Sequence, residues 1–361
     1  MSEISRLPQG QHEWEATFGT DDLGRPILPR HHRLMLWTVL RRPTNDEARL
    51  LEAGLQQLER VHPHGPEGIL TTLGWSAHWF NEHSSIPGII GFASKMARWE
   101  DPRIDPYHAV LHLAGDGEDV VAAAQERLEG HLRRSLPGVF SATHTRTGFV
   151  GDGLPSQRLP GLGIPRDAPL LMGFRSGLRG NQAPEDAITI ESGPLAGGTT
   201  QHVSRILLDL DAWYALDHDA RAGLMYAPSV SATEAETFAE DAPSDYRRYR
   251  ESVSRHGRIG HAQSAARARV GNVPLINRRD FGSLDDGAPG THFVSLQREL
   301  RDFNNTRAIM NGADAATVHH SVGQRHRNGI NAFMKVTHRA AYAVPPRRLR
   351  SFPHLLSDTT P

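Results

Sequence analysis

Four stretches of the 361-residue sequence combine residue types able to do chemistry. The first, Gly173-Phe174-Arg175-Ser176-Gly177, brackets a hydroxyl with glycines, which imply special backbone angles or the close approach of another group. The second is Leu195-Ala196-Gly197-Gly198, followed by an apolar run over 203–210 that contains Arg205. A cation in such a strand needs a partner, with Asp209 or a glutamate as protein candidates. The third is His261 in Gly-His-Ala-Gln, and the fourth is Ile276-Asn277-Arg278-Arg279-Asp280-Phe281-Gly282. On an extended backbone residues i and i+2 face the same way. Arg278 and Asp280 therefore share a side, types that suit charge stabilisation and proton transfer. Arg279 takes the other side, and changing it to Gln is expected to be nearly silent.

These stretches need a scaffold, and the hydropathy pattern supplies one. Residues 31–41 read as a strand. Thr44 and Glu47 form a capping box, opening a helix whose stripe is Leu50, Leu51, Leu55 and Leu58. Gly65 and Pro66 break it; 69–80 returns as a strand, 109–114 is another, and 118–128 reads as a helix. That rhythm predicts a ferredoxin-like βαββαβ half. Residues 137–168 are rich in Gly, Pro and polar residues and read as a long connection. Beyond it come strands at 203–210 and 291–297, a helix over 300–311 and a last strand at 330–337, with a polar surface cover at 215–260. The predicted organisation is an arm at 1–30, an N-terminal ferredoxin-like half at 31–136, a connecting segment at 137–167 and a C-terminal ferredoxin-like half at 168–361. The class is α+β, with antiparallel sheets and peripheral helices.

Composition narrows the function. The absence of cysteine excludes disulfides, thiolate zinc sites, iron–sulfur clusters and thiolate-ligated haem. A metal or haem must then use His, carboxylate or Tyr. The net charge of −1 and arginines scattered through the chain give no case for nucleic acid. No run approaches the ~20 apolar residues of a membrane span, and the N-terminus lacks an apolar signal core. The cytoplasm is the expected compartment.

The order of the four stretches resembles the dye-decolorizing peroxidases, a haem family of two ferredoxin-like halves. The Gly173–Gly177 loop is similar to that family's Gly-x-x-Asp-Gly loop, and Leu195-Ala196-Gly197-Gly198 with Asp209-Leu210-Asp211-Ala212-Trp213 is similar to its next turn and strand end. The resemblance implies haem b (iron protoporphyrin IX) in the C-terminal half, on a loop formed by Gly173, Phe174, Arg175 and Gly177. It implies His261 as the metal ligand, with His202, His256 and His292 as competitors, and Arg278 as the distal arginine. Arg205 would face a haem propionate. Hydrogen peroxide and a small-molecule substrate are the implied partners, and self-association is common in the family. Ser176 departs from the pattern, because it stands where the family has the aspartate that moves the peroxide proton. A serine without a strong base cannot take that role near neutral pH, so Asp280, Glu185 and Asp186 are the substitute candidates, Asp280 first. Glu299 and Asn328 are the candidates for polarising the proximal imidazole. The expectation is a haem oxidoreductase with weakened or altered peroxide chemistry. The alternatives are a haem enzyme of non-peroxidase type in a tailoring pathway, a non-catalytic haem carrier or sensor, and a ferredoxin-like protein without haem.

Overall fold

The computed structural model describes residues 7–22, 24–175, 180–237 and 246–355. Its first half is built from β1 (His31–Trp37), α1 (Asn45–Val61), β2 (Leu70–Ser76), β3 (Ala109–Gly115), α2 (Glu118–Ser135) and β4 (His144–Phe149). The strands pair antiparallel in the order β4-β1-β3-β2. The capping box at the start of α1 is formed, with the Thr44 hydroxyl accepting from the Glu47 N–H at 3.2 Å and the Glu47 carboxylate accepting from the Thr44 N–H at 2.8 Å. Leu51, Leu55 and Leu58 are buried against the sheet. Leu50 is not part of that stripe: it stands one residue, or about 100° of helix, off the face and is 39% exposed.

The second half repeats the plan with β5 (Thr199–Leu208), β6 (Asn277–Arg278), β7 (Phe281–Ser283), β8 (Gly290–Gln297) and β9 (Met334–Val344). Its order is β9-β5-β8-β6, again antiparallel, with β7 also on β8. The helices used below are α3 (His218–Met225), α4 (His261–Ala265) and α5 (Leu300–Met310). Two seams join the halves: β9 pairs β2 through Tyr342 and Ser76, and β7 pairs β4 through Gly282 and Phe149. The result is one closed, barrel-like sheet with helices outside it. The class is α+β, antiparallel and ferredoxin-like in both halves, as the hydropathy rhythm predicts.

Several boundaries move. The stretch read as a connection contains β4, whose sequence HTRTGF hides a strand because its inward cation, Arg146, is buried in an ion pair with Asp105 at 2.9 Å. The strand expected over 69–80 stops at Ser76, and Ala77–Glu82 turns helical, with Trp79 and Phe80 buried. The last strand starts at Met334 rather than 330, after a 3₁₀ turn at Asn331–Phe333. The N-terminal arm is not merely extended over the surface. Gln11, His12 and Trp14 are fully buried at one end of the barrel. The Gln11 side chain donates to the carbonyls of Leu73 (3.1 Å) and Pro345 (2.8 Å) and accepts from the Leu73 N–H (3.0 Å), so it joins both halves.

The central strands of the first half have two covered faces, which is why β2 and β3 are buried at all seven positions. The inner face holds Leu34, Leu36, Val110, Val203, Phe281, Val294 and Tyr342. On the outer face of the first half, Trp37, Trp75 and Leu111 of the sheet share one apolar cluster with Leu51 and Leu55 of α1 and Leu128 of α2. The outer face of the second half is covered differently, and the difference creates the site.

Candidate active site

A cavity lies between the outer face of the second half-sheet and the short helices over it, with about 1190 Å³ of empty space when the open solvent at its mouth is included. Strand alternation decides what reaches it. On β5, Ile206 and Leu208 line the cavity; on β8, Thr291 and Phe293 do. The preceding strand segment contributes Ile276, Arg278 and Asp280, while α4 contributes His261. Three chemically competent side chains, 17 and 2 residues apart in the sequence, thus converge on one largely apolar space.

His261 opens α4, and its backbone is tightly held. Gly329 lies against it in a left-handed conformation (φ 54°), where an added Cβ would stand 2.9 Å from the His261 Cα. The Gly329 N–H donates to the Ile259 carbonyl at 2.8 Å, and the Ile259 N–H to the Arg327 carbonyl at 3.1 Å. Burial lowers the imidazole pKa to about 3, helped by the Arg278 and Arg307 charges. The ring is therefore neutral at physiological pH, the state in which imidazole binds a metal.

Arg278 is fixed through Gln182. The Gln182 amide oxygen accepts from the Arg278 N–H at 2.8 Å, and its nitrogen donates to the Arg278 carbonyl at 2.8 Å. Burial raises the Asp280 pKa, while the Arg278 charge opposes the shift. Asp280 thus leans toward the protonated form more than an exposed aspartate does.

The wall at 171–175 hangs from three aromatic donors. The Trp213 indole donates to the Met172 carbonyl (2.9 Å), the Tyr214 hydroxyl to Leu171 (2.9 Å) and the Tyr226 hydroxyl to Arg175 (3.1 Å). Phe174 stands in this wall, edge-on to Tyr226. Gly173 has φ 81°, and a Cβ there would lie 2.7 Å from the Tyr214 hydroxyl, so a protein group already crowds this glycine. Arg175 reaches the rim, paired with Asp152 at 2.8 Å. Ser176 and Gly177 lie outside the described residues.

Other expected residues sit elsewhere. Arg205 does not line the cavity: between Ser204 and Ile206 it takes the inner face of β5, at the barrel mouth, and pairs with Asp286 at 2.5 Å. Its partner is thus neither a cavity ligand nor Asp209. Glu185 is turned away and binds Arg279 at 2.9 Å, and the Asp186 carboxylate accepts from the Ala187 N–H. Arg279 is 4% exposed behind the cavity segment; burial draws its pKa down to about 10, which leaves it a cation at neutral pH. Replacing it by Gln would leave Glu185 without its buried counter-charge, so silence is no longer expected. Glu299 is bound to Arg301 at the start of α5, whereas Asn328 is buried beside Ile259 with its side-chain nitrogen unpartnered. His202 stacks on Phe303 at 3.6 Å, and His292 bonds Asp285 at 2.7 Å. Sequence reasoning passed over Thr306, Met310 and Tyr226 in the lining. The i, i+4 spacing of Thr306 and Met310 was a usable signal.

The model of a family described as "Family of unknown function (DUF7405)" matches residues 29–346. No curated protein matches the sequence. Among solved structures, a dye-decolorizing protein from V. cholerae is 15% identical over 93% of this chain and 98% of its own, with a TM-score of 0.62. A dye-decolorizing peroxidase from Bacteroides thetaiotaomicron is 14% identical, covering 94% and 99%, with a TM-score of 0.63. One variant of Rhodococcus jostii DypB in complex with heme is 14% identical, covering 95% and 98%, with a TM-score of 0.63. At such identities the likeness establishes a shared fold.

Proposed function

The chain belongs to the DUF7405 family of unknown function, and we propose that it is a haem-dependent oxidoreductase that holds the iron on His261 and has weakened or altered peroxide chemistry. The observation that carries the reading is the convergence of His261, Arg278 and Asp280 on one apolar cavity. The residues fit an iron porphyrin. Ile206, Leu208, Phe293 and Met334 offer apolar walls to a flat macrocycle, and His261 offers a neutral nitrogen base. Arg175 at the rim, whose partner Asp152 is exposed, is available to a propionate. Haem, when bound, would supply the redox chemistry of its iron.

The chain's own residues would supply the rest. His261 anchors the cofactor from the α4 side. Arg278 donates hydrogen bonds to an oxygen-bearing small molecule in the cavity, with its backbone locked by Gln182. Asp280 holds or accepts a proton beside it and takes the place of the family carboxylate where this sequence has Ser176. Ser176, standing where the family has its carboxylate, favours the second reading, a haem enzyme or carrier that does not use peroxide as its main oxidant. The reading takes haem b as cofactor, a small molecule as substrate and the cytoplasm as compartment; among the described residues no helix is long and apolar enough to cross a membrane. A Soret band in the purified protein tests the first claim, and its absence after haem reconstitution would overturn it. Rapid mixing with hydrogen peroxide then separates the two readings, since only the peroxidase reading expects a spectral change that peroxide itself brings about, however slowly.

A further inference from the structure

The cavity segment has a second face, and that face is built as heavily as the first. Behind Arg278 and Asp280, Arg279 lies over the Trp14 indole, 4.0 Å from the ring centroid. The Arg279 guanidinium is paired with Glu185 at 2.9 Å and also donates to the His12 carbonyl. Glu185 in turn accepts from the backbone N–H groups of Trp14 (2.6 Å) and Glu15 (3.0 Å). The neighbouring Asn277 side chain donates to the Glu15 carboxylate at 2.6 Å and to the Ala183 carbonyl at 2.9 Å. Residues 12–15 of the N-terminal arm therefore grip the two inward-facing side chains of a segment whose two outward-facing ones, Arg278 and Asp280, line the cavity.

The backbone ladder over this segment is continuous but short. β6 and β7 pair with β8 in one register, Asn277 opposite Leu296, Arg278 opposite Ser295 and Phe281 opposite His292, with the Arg279 N–H donating to the Val294 carbonyl at 2.8 Å between them, and a one-residue slip would exchange the two faces. A slip would also bury Arg278 and Asp280 where Arg279 now sits and expose Arg279 to the apolar cavity. The ion pair, the indole and the Asn277 bonds each fit one register alone. We propose that Arg279 is a positioning residue, clamped by Glu185 and Trp14, and that the N-terminal arm thereby sets how Arg278 and Asp280 are presented to the cavity from behind. This rests on the functional reading above only in giving Arg278 a ligand to act on.

Peptide-resolved hydrogen exchange on the full chain without added haem tests the clamp itself. In Trp14→Leu, and in Glu185→Gln, which keeps the shape of the side chain, exchange across 276–283 is expected to rise about tenfold or more while α1 stays protected. Trp14→Phe, which keeps a ring under the guanidinium, is expected to recover wild-type exchange. No local rise, or a uniform rise over the whole chain, overturns the proposal. On haem-loaded protein, both loosening variants are expected to bind fluoride about tenfold more weakly at undiminished Soret absorbance, since small misplacements of a fixed donor are costly. A loosened segment with unchanged fluoride affinity overturns the link to the cavity. If Arg278→Leu in otherwise native protein leaves fluoride affinity unchanged, it is the role given to Arg278 that fails, and the haem-free result still decides the clamp.

Discussion

The two halves of the molecule share one βαββαβ plan but cover their outer faces differently. In the first half, α1 and α2 are 17 and 18 residues long and lie directly on the sheet. Apolar side chains fill the whole space between. In the second half, the first crossing runs from the end of β5 to β6 through short pieces, among them α3 with eight residues and α4 with five. Short helices cannot carry a long apolar stripe, and here their residues line a cavity over the sheet instead of filling the space. The same sheet architecture thus gives a sealed core where the helices are long and a lined cavity where they are broken.

The largest effect should come from breaking the open half at its most specific residue. His261→Ala is expected to abolish stable haem incorporation with the circular dichroism spectrum unchanged; full occupancy with an unaltered visible spectrum would remove His261 from its assigned role. Next comes reactivity. Asp280→Asn and Arg278→Leu are each expected to slow the first reaction of reconstituted protein with hydrogen peroxide, by up to ~10²–10⁴-fold for a general acid–base group. The double variant should lose less than the product of the two, because groups serving one transition state share a single loss. Stopped-flow rates that multiply would show the two acting separately.

Stability should sharpen the contrast. Leu111→Ala beneath α1 and α2 is expected to cost about 2–5 kcal/mol, as large core truncations do. Ile206→Ala, whose side chain already borders empty space, should cost much less, and urea titration compares them. The smallest effect concerns Asp280 and pH. Burial raises the Asp280 pKa above its unfolded value. Its favourable contribution is therefore present below the ordinary aspartate range and lost as pH rises through the raised folded value. Asp280→Asn should stabilise the protein slightly at neutral pH, and the gain should vanish on acidification. His12, His32 and His261 behave oppositely, each lowered to about 3 mainly by burial. Their neutral forms support the fold above pH 6.5, and that support is lost as pH falls toward about 3. Thermal melts across this range check both signs.

Periodicity revealed what it governs directly. The capping box at Thr44, the stripe at Leu51, Leu55 and Leu58, and the same-side placement of Arg278 and Asp280 are local consequences of helix and strand geometry, and all were readable. Arg205 was misread because each face of β5 mixes polar and apolar residues, Gln201 and Val203 on one and Ser204 and Ile206 on the other, so nothing local says which face is the barrel interior. The strand β4 was hidden because Arg146 is neutralised by Asp105, 41 residues away. The burial of Trp14 and the clamp on Arg279 depend on residues more than 170 positions apart, Trp14 with Glu185 and His12 with Arg279. Such pairings leave no trace in a window of sequence.

The two seams also bear on how the chain reaches this state. Gly282 must find Phe149, and Tyr342 must find Ser76, before the sheet closes. Until Gly282 has been synthesised β4 remains a bare edge of a half-sheet, and until residues beyond 340 have been β2 remains another, both open to strand pairing with other chains. Gln11 likewise waits for Pro345. Contacts this remote in sequence make for slow folding, so the period of greatest aggregation hazard falls on the ribosome and just after release, and chains interrupted before β9 should be the ones that associate.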